Sequence, residues 1–155
     1  MRVELKKELG AGFAALSLTL LIAALAAATP LEDFLSHYPL PRLYPWYVYW
    51  RIAVVMLITW IAASSLASKE RRLARWLMVT SALALASSHY AALAAEVTAG
   101  GVKIEMFPLL YRVEAKGGSV LKLDIGQVVL LITIAEMVLI SRTRTASSGK
   151  PNPSR

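Results

Sequence analysis

A chain of 155 residues allows one domain, and a hydrophobic content of 57% is typical of a membrane protein rather than of an ordinary soluble domain. The net charge of +7 does not indicate nucleic-acid binding, because the basic residues stand beside apolar segments; anionic lipid headgroups are the expected partner. The absence of cysteine excludes disulfides, thiolate metal sites and Fe–S clusters, and we expect no cofactor.

Four apolar segments fill most of the chain. Residues 9–31, 52–68 and 76–95 contain no Asp, Glu, Lys or Arg, and residues 125–141 contain Glu136 alone. Each is close to the roughly 17–25 residues that cross about 30 Å of hydrocarbon, where helices satisfy their own backbone groups. We therefore predict an all-α membrane protein, a four-transmembrane-helix bundle over residues 1–142, with helices at about 9–31, 46–68, 74–97 and 125–141.

Basic residues are concentrated at alternate ends of these segments. Three precede the first helix, four join the second to the third and four follow the fourth: Arg2, Lys6, Lys7, Lys69, Arg71, Arg72, Arg75, Arg142, Arg144, Lys150 and Arg155. They make up eleven of the seventeen Lys and Arg residues, and the positive-inside rule places them in the cytoplasm. We therefore predict a multi-pass protein of the cell membrane with both termini cytoplasmic.

The first segment also has features of a cleavable signal peptide. Basic residues and an apolar stretch precede Ala26-Ala27-Ala28, as at a small-residue cleavage site. Against cleavage, the apolar stretch exceeds the usual roughly 7–15 residues, and Glu4 and Glu8 dilute the basic region. Whether the first helix is cleaved stays open, and the orientation of the other three helices is the same in either case.

The connections outside the membrane have distinct patterns. Four prolines over residues 30–45 predict a stiff, irregular first loop. Residues 102–124 alternate apolar and polar side chains, and Lys116-Gly117-Gly118-Ser119 suits a tight turn. We predict an extracytoplasmic β-hairpin between helices 3 and 4, with strands over 109–115 and 119–124, and leave open a third strand over 102–106. Its apolar face must rest on the helix ends or on a partner. Residues 143–155 predict a disordered, basic cytoplasmic tail.

Small residues recur at three- and four-residue steps in two helices, which lets helix backbones approach closely in a membrane. The predicted seams are Gly10, Ala14, Ser17, Leu21, Ala24 and Ala28 in the first helix and Ser81, Ala84, Ser88, Ala91 and Ala95 in the third. Such seams close either within one chain or between copies of it.

Two residues are candidates for an intramembrane ion or proton site. Glu136 lies roughly 8 Å inside the inner boundary, and an acid at that depth is a functional candidate. It is interpreted either as a proton- or cation-binding carboxylate, or as a neutral or Arg-paired acid that serves assembly, with Arg72 or Arg75 as partner. His89 in the third helix is the second candidate, with a structural histidine as the alternative. A direct contact between them is not expected, since they lie in opposite leaflets.

A candidate outer-leaflet ion pair involves Arg51, Glu96 and Asp124. Arg51 lies about a turn and a half inside the second helix, where it either extends outward to water or pairs with Glu96 or Asp124. Asp124 has a second interpretation as the cap of the fourth helix, because its carboxylate can accept N–H groups of the first turn.

The run Ile134-Ala135-Glu136 resembles the corresponding helix of the duplicated proteolipid ring subunit of rotary ATPases, which also has a carboxylate in its fourth span. The resemblance covers that helix alone, and the Gly-rich helices of that family are missing. Small multidrug transporters share four helices and one essential Glu, but theirs lies in the first helix, where this first span has no acid. The chain is assigned to neither family.

Reactive constellations are missing from the sequence, so we do not predict an enzyme. Ser87 and Ser88 adjoin His89 but point away from it on a helix, and no phosphate-binding Gly loop or metal-ligand spacing occurs. We predict a non-enzymatic accessory or structural subunit of a larger membrane complex, associated with other membrane subunits or as a homo-oligomer. The alternative is a small oligomeric ion- or proton-coupled transporter or channel that uses Glu136. One Asn, one Gln and no Cys are a composition typical of a thermophile.

Overall fold

The computed structural model describes the backbone of residues 2–29 and 46–146, and the side chains of residues 3–142 within those ranges. The predicted proline-rich loop over 30–45 and the last part of the predicted tail lie outside the described residues. Within them, four helices are long and apolar enough to cross a membrane. In chain order they are α1 (Arg2–Ala28), α2 (Tyr47–Leu66), α3 (Arg72–Ala99) and α4 (Ile125–Ala146).

Two helix boundaries differ from the sequence prediction. α1 begins at Arg2 rather than near residue 9, because its charged first turns are good helix formers and Lys7 lies 3.9 Å from Glu4, one turn away. α4 extends to Ala146, so that residues 143–146, which the sequence assigned to the tail, belong to the helix. No Gly or Pro occurs between Gly126 and Gly149, so no residue in that stretch favours an earlier end of the helix.

A sheet joins α3 to α4, and its described residues form three antiparallel strands in the order β1 (Val102–Phe107), β2 (Leu110–Ala115) and β3 (Gly118–Leu123). The predicted hairpin is confirmed, and the third strand, left open by the sequence, is present. Gly118, the first residue of β3, has a φ of +141°, a conformation that side-chain-bearing residues rarely adopt.

The two faces of the sheet differ in polarity, because successive residues of a strand point to opposite sides. Ile104, Val113 and Val120 share one register position, and Tyr111 lies on the same face and is buried. The other face carries the charged set Lys103, Glu105, Arg112 and Glu114. The apolar face therefore turns toward the helices at β2, while every residue of β3 is exposed.

The helices alternate in direction. The first turns of α1 and α3 and the last turns of α4 line one cavity, and we call this side the terminal end of the bundle. The sheet connects the last residue of α3 to the first of α4 at the opposite side, the sheet end. There Arg51 of α2 donates a hydrogen bond to the carbonyl of Thr29, just after α1. Both ends of the described chain thus meet at the terminal end.

The core lies between α2, α3 and α4, with α3 as the central helix. Its buried members are Met56, Trp60, Ala63, Met78, Ala82, Leu85 and Val129. The α3 seam is partly buried in the chain, since Ser81 and Ser88 are enclosed. The α1 seam is not, because α1 packs through Ala15, Thr19 and Ala26 and turns the predicted residues outward.

Candidate functional site

Glu136 lies between α2 and α4 near the terminal end, where one of its oxygens has a partner. The hydroxyl of Ser64 donates to Glu136 Oε1 at 2.6 Å, whereas Oε2 is buried and meets no hydrogen-bond partner among the described residues. Arg72 and Arg75, proposed from the sequence as partners of this acid, form their ion pairs with Glu4 and Glu8 instead.

A second polar contact lies one turn further into the bundle. The indole N–H of Trp60 donates to Thr133 Oγ1 at 2.9 Å, and both side chains are buried. The steps from Trp60 to Ser64 and from Thr133 to Glu136 are four and three residues, so both contacts fall on one seam. Protonation of Glu136 at Oε2 would displace no existing hydrogen bond among the described residues.

His89 lies beside the sheet and not beside Glu136. Its Nε2 atom is 3.6 Å from Asp124 Oδ1 and is buried without a hydrogen-bond partner among the described residues. The imidazole packs edge-on against the ring of Tyr111 in β2, with centroids 5.8 Å apart. His89 thus connects α3 both to the sheet and to the start of α4.

Asp124 is fully buried where β3 gives way to α4. Its Oδ1 accepts the backbone N–H of Gln127 at 3.0 Å, which confirms the helix-cap interpretation. The amide of Gln127 and the hydroxyl of Tyr90 donate to Oδ2 at 2.9 and 3.1 Å. Gln127 also accepts from the N–H of Leu109 and donates to the carbonyl of Phe107, so it fastens the β1–β2 turn to α4. These hydrogen bonds hold the first turn of α4 in position and attach the sheet to the helices.

Arg51 and Glu96, the other two residues of the predicted outer-leaflet ion pair, have different neighbours from Asp124. Arg51 is 6% exposed and bonds to the Thr29 carbonyl, which joins the end of α1 to the start of α2. Glu96 lies near Tyr111. Burial raises the pKa of Tyr111, and the negative charges of Glu96 and Asp124 raise that pKa further. The structure therefore brings Asp124 together with His89, Tyr90 and Gln127.

Glu4 and Glu8 form a cluster of ion pairs that the sequence analysis did not identify. Both oxygens of Glu8 accept from Arg75 Nη2, at 2.8 and 2.9 Å, and Trp76 Nε1 donates to Oε2 at 3.0 Å. Arg72 bonds to Glu4 and lies 3.4 Å from Glu8. The four-residue step from Glu4 to Glu8 places both acids on one face of α1, but the sequence does not show which helix that face contacts.

Among the residues that the structure describes, no three His, Asp or Glu side chains gather into a group that could hold a metal ion. No protein-family model, no curated protein and no solved structure matches the chain. Its function is therefore inferred from its own residues.

Proposed function

We propose that the protein is a multi-pass membrane protein and a non-enzymatic subunit of a larger membrane assembly. In this proposal the terminal end faces the cytoplasm, because the basic residues around α1, α3 and α4 gather there. The sheet then lies outside the cell. α1 stays in the protein, because its acids hold Arg72 and Arg75; an intact-mass measurement of the purified protein tests this.

The observation that carries the proposal is the exposure of β3. Val120, Leu121 and Leu123 are 58, 56 and 55% exposed, and they lie on both faces of the strand. Lipid accounts for the exposed leucines of the spanning helices, but not for a strand beyond the ends of α3 and α4. A strand with three exposed apolar side chains, and with no neighbour on its outer edge among the described residues, is a site for pairing with another chain, so we expect a partner protein to cover it.

The first experiment compares assemblies purified in mild detergent. Wild type should elute together with partner chains, which are identified by mass, whereas Leu121→Glu should elute at smaller size with unchanged thermal unfolding. Lys116→Glu is the matched control, because Lys116 is also exposed, in the adjacent turn, but is not apolar. Recovery of wild type as a lone monomer contradicts the subunit proposal.

The orientation has its own test, made simple by the absence of cysteine. Lys116→Cys in the β2–β3 turn and Glu70→Cys between α2 and α3 each introduce one exposed thiol. In intact cells, an impermeant maleimide should label Lys116→Cys but not Glu70→Cys. Glu70→Cys should react only after the membrane has been permeabilised. Labelling of both from the same side contradicts the proposed topology.

A second candidate function is ion- or proton-coupled transport. It is favoured by Glu136 Oε2, which is buried without a hydrogen-bond partner among the described residues. A buried acid with one hydroxyl donor in an apolar surrounding is the kind of group that proton pathways use. Glu136→Gln should preserve the contact with Ser64 and the fold, and should abolish ion-coupled transport in reconstituted vesicles. Glu70→Gln, which neutralises an exposed acid in the α2–α3 connection, serves as control. Equal transport by Glu136→Gln and wild type ends this candidate.

A further inference from the structure

A cavity of about 700 Å³ opens at the terminal end between α1, α3 and α4. α1 and α4 each pack on α3 but make little contact with each other, so the cavity fills the gap between them, above α3. Its walls come from Leu5 of α1, from Trp76 of α3, and from Met137 and Ile140 of α4. A gap bordered by two spanning helices is open to whatever molecule occupies the membrane at that depth.

The lining combines a basic part with an apolar part. Lys69, Arg72 and Arg75 lie against two carboxylates, Glu4 and Glu8, which leaves one cation in excess. Arg75 is occupied, because it donates to Glu8 and to the carbonyl of Lys69. The apolar part is larger and consists mainly of aliphatic side chains. A small inorganic anion would leave these side chains facing water, whereas an amphiphile covers both parts.

Two of the cations keep donors that the protein does not use. Arg72 directs Nη2 at Glu4 and Nε at Glu8, but Nη1 is buried and meets no acceptor among the described residues. The side chain of Lys69 has no acceptor within that part of the chain either. A buried guanidinium nitrogen without a partner calls for an ion or a polar group of another molecule. Phosphate oxygens suit it, because arginine and lysine both bind them strongly.

We infer that this cavity binds one phospholipid with an anionic headgroup, its phosphate at Lys69 and Arg72 and an acyl chain along Leu5, Met137 and Ile140. The inference rests on the proposed membrane location. Glu4 and Glu8 hold Arg72 and Arg75 at the mouth of the cavity. The site belongs at the cytoplasmic leaflet, where anionic lipids and basic side chains attract each other.

The test is lipid titration of the full chain in mild detergent, followed by native mass spectrometry. Phosphatidylglycerol and phosphatidylcholine with identical acyl chains form the two main arms, and inorganic phosphate and glycerol phosphate are competitors. Wild type should retain one phosphatidylglycerol in preference to phosphatidylcholine, with no competition by either soluble phosphate. Lys69→Gln should weaken the affinity for phosphatidylglycerol about fivefold, the usual effect of one basic residue at an anionic membrane.

Two further variants separate this site from general charge effects. Ser141→Trp fills the rim of the cavity from α4 and should lower the retention of both lipids. The substitution should not disturb the fold, since within the described residues Ser141 bonds only to Val138 of its own helix. Lys122→Gln removes an exposed cation at the sheet end and should retain phosphatidylglycerol as wild type does. Folding of each variant is checked by its thermal unfolding without added lipid.

The outcomes are distinguishable from those that bear on the proposed function. Equal retention of the two lipids, or equal affinities of Lys69→Gln and Lys122→Gln, overturns the lipid site. Displacement of the lipid by inorganic phosphate at similar concentration overturns it in favour of a simple anion site. Selective retention by a lone monomer supports the lipid site while contradicting the subunit proposal. A chain that is soluble without detergent overturns both.

Discussion

The two ends of the bundle hold their carboxylates in different ways. At the terminal end, Glu8 is 34% exposed and is matched by the guanidinium groups of Arg75 and Arg72. At the sheet end, Asp124 is fully buried and its hydrogen bonds come from neutral groups, the hydroxyl of Tyr90 and the main-chain and side-chain amides of Gln127. Glu8 is stabilised by opposite charges, whereas Asp124 is stabilised by hydrogen bonds from neutral donors.

This difference predicts which end tolerates change. An ion pair near the boundary loses one interaction when a partner is removed, and salt screens what remains. The stability of a buried carboxylate that accepts hydrogen bonds from neutral groups depends on all of these bonds together. When the carboxylate is removed, each buried donor loses its acceptor. Gln127 adds to this dependence because it also bonds to Leu109 and Phe107 in the sheet. The sheet end should therefore be the more sensitive of the two.

The largest effect is expected for Asp124→Ala. It removes the cap of α4 and leaves the buried donors of Tyr90 and Gln127 without an acceptor, which together should cost about 3 kcal/mol or more. Thermal unfolding in detergent measures the loss. Asp124→Asn keeps one acceptor oxygen and should retain part of the stability. If Asp124→Ala melts no lower than Glu8→Ala, the contrast between the two ends is wrong.

A double-mutant cycle on Glu8 and Arg75 sharpens the other side of the comparison. Glu8→Gln and Arg75→Gln should each destabilise the protein, and their coupling should be about 1 kcal/mol, since both oxygens of Glu8 accept from one nitrogen of Arg75 and Arg75 is 14% exposed. The coupling should fall between low and high salt, whereas the effect of Asp124→Ala should not. Strict additivity of the two substitutions contradicts an energetically significant pair.

The sequence was sufficient for the features that depend on local pattern. Four apolar segments predicted the helices, and alternation over residues 102–124 predicted the β2–β3 hairpin, with the third strand left open. The cap at Asp124 was one of two interpretations of an acid before an apolar run. Each of these follows from periodicity or from one helix end, without knowledge of which helices are neighbours.

The contacts between distant residues were not accessible in the same way. His89 of α3 contacts both Asp124 at the start of α4 and Tyr111 in β2, and no local pattern shows that these distant residues meet. Glu4 and Glu8 were interpreted as dilution of a basic segment, because their partners lie on another helix. The outward turn of the α1 seam likewise depends on which face α3 occupies.

Gly126→Ala probes how tightly the sheet end is packed. A Cβ atom at Gly126 would lie 3.2 Å from both Asp124 Oδ1 and His89 Cδ2. The Asp124 carboxylate is fixed by its hydrogen bonds and cannot withdraw, so we expect a destabilisation of about 1 kcal/mol. Gly10→Ala is the matched control, because nothing lies within 4 Å of that position and alanine favours the helix. Equal stabilisation by both substitutions contradicts a rigid sheet end.

The smallest effect concerns the pH dependence of Tyr111, which lies on the sheet outside the spanning helices. Burial raises the pKa of Tyr111, and the negative charges of Glu96 and Asp124 raise it further. In the unfolded chain this phenol ionises near the ordinary value of about 10. The stabilising contribution of Tyr111 is therefore complete below that pH and is lost as the pH rises through the higher folded-state value.

Unfolding temperatures measured in detergent at increasing alkaline pH should consequently fall more steeply for wild type than for Tyr111→Phe, which has no phenol to ionise. The difference in ultraviolet absorption between wild type and Tyr111→Phe should show that Tyr111 ionises at higher pH in the folded protein than in the unfolded protein. Glu96→Gln removes one of the two negative charges and should shift the titration of Tyr111 back toward its ordinary range. Parallel pH profiles for wild type and Tyr111→Phe would mean that this phenol is solvated, and that the sheet does not close over His89 as tightly as the burial of Tyr111 requires.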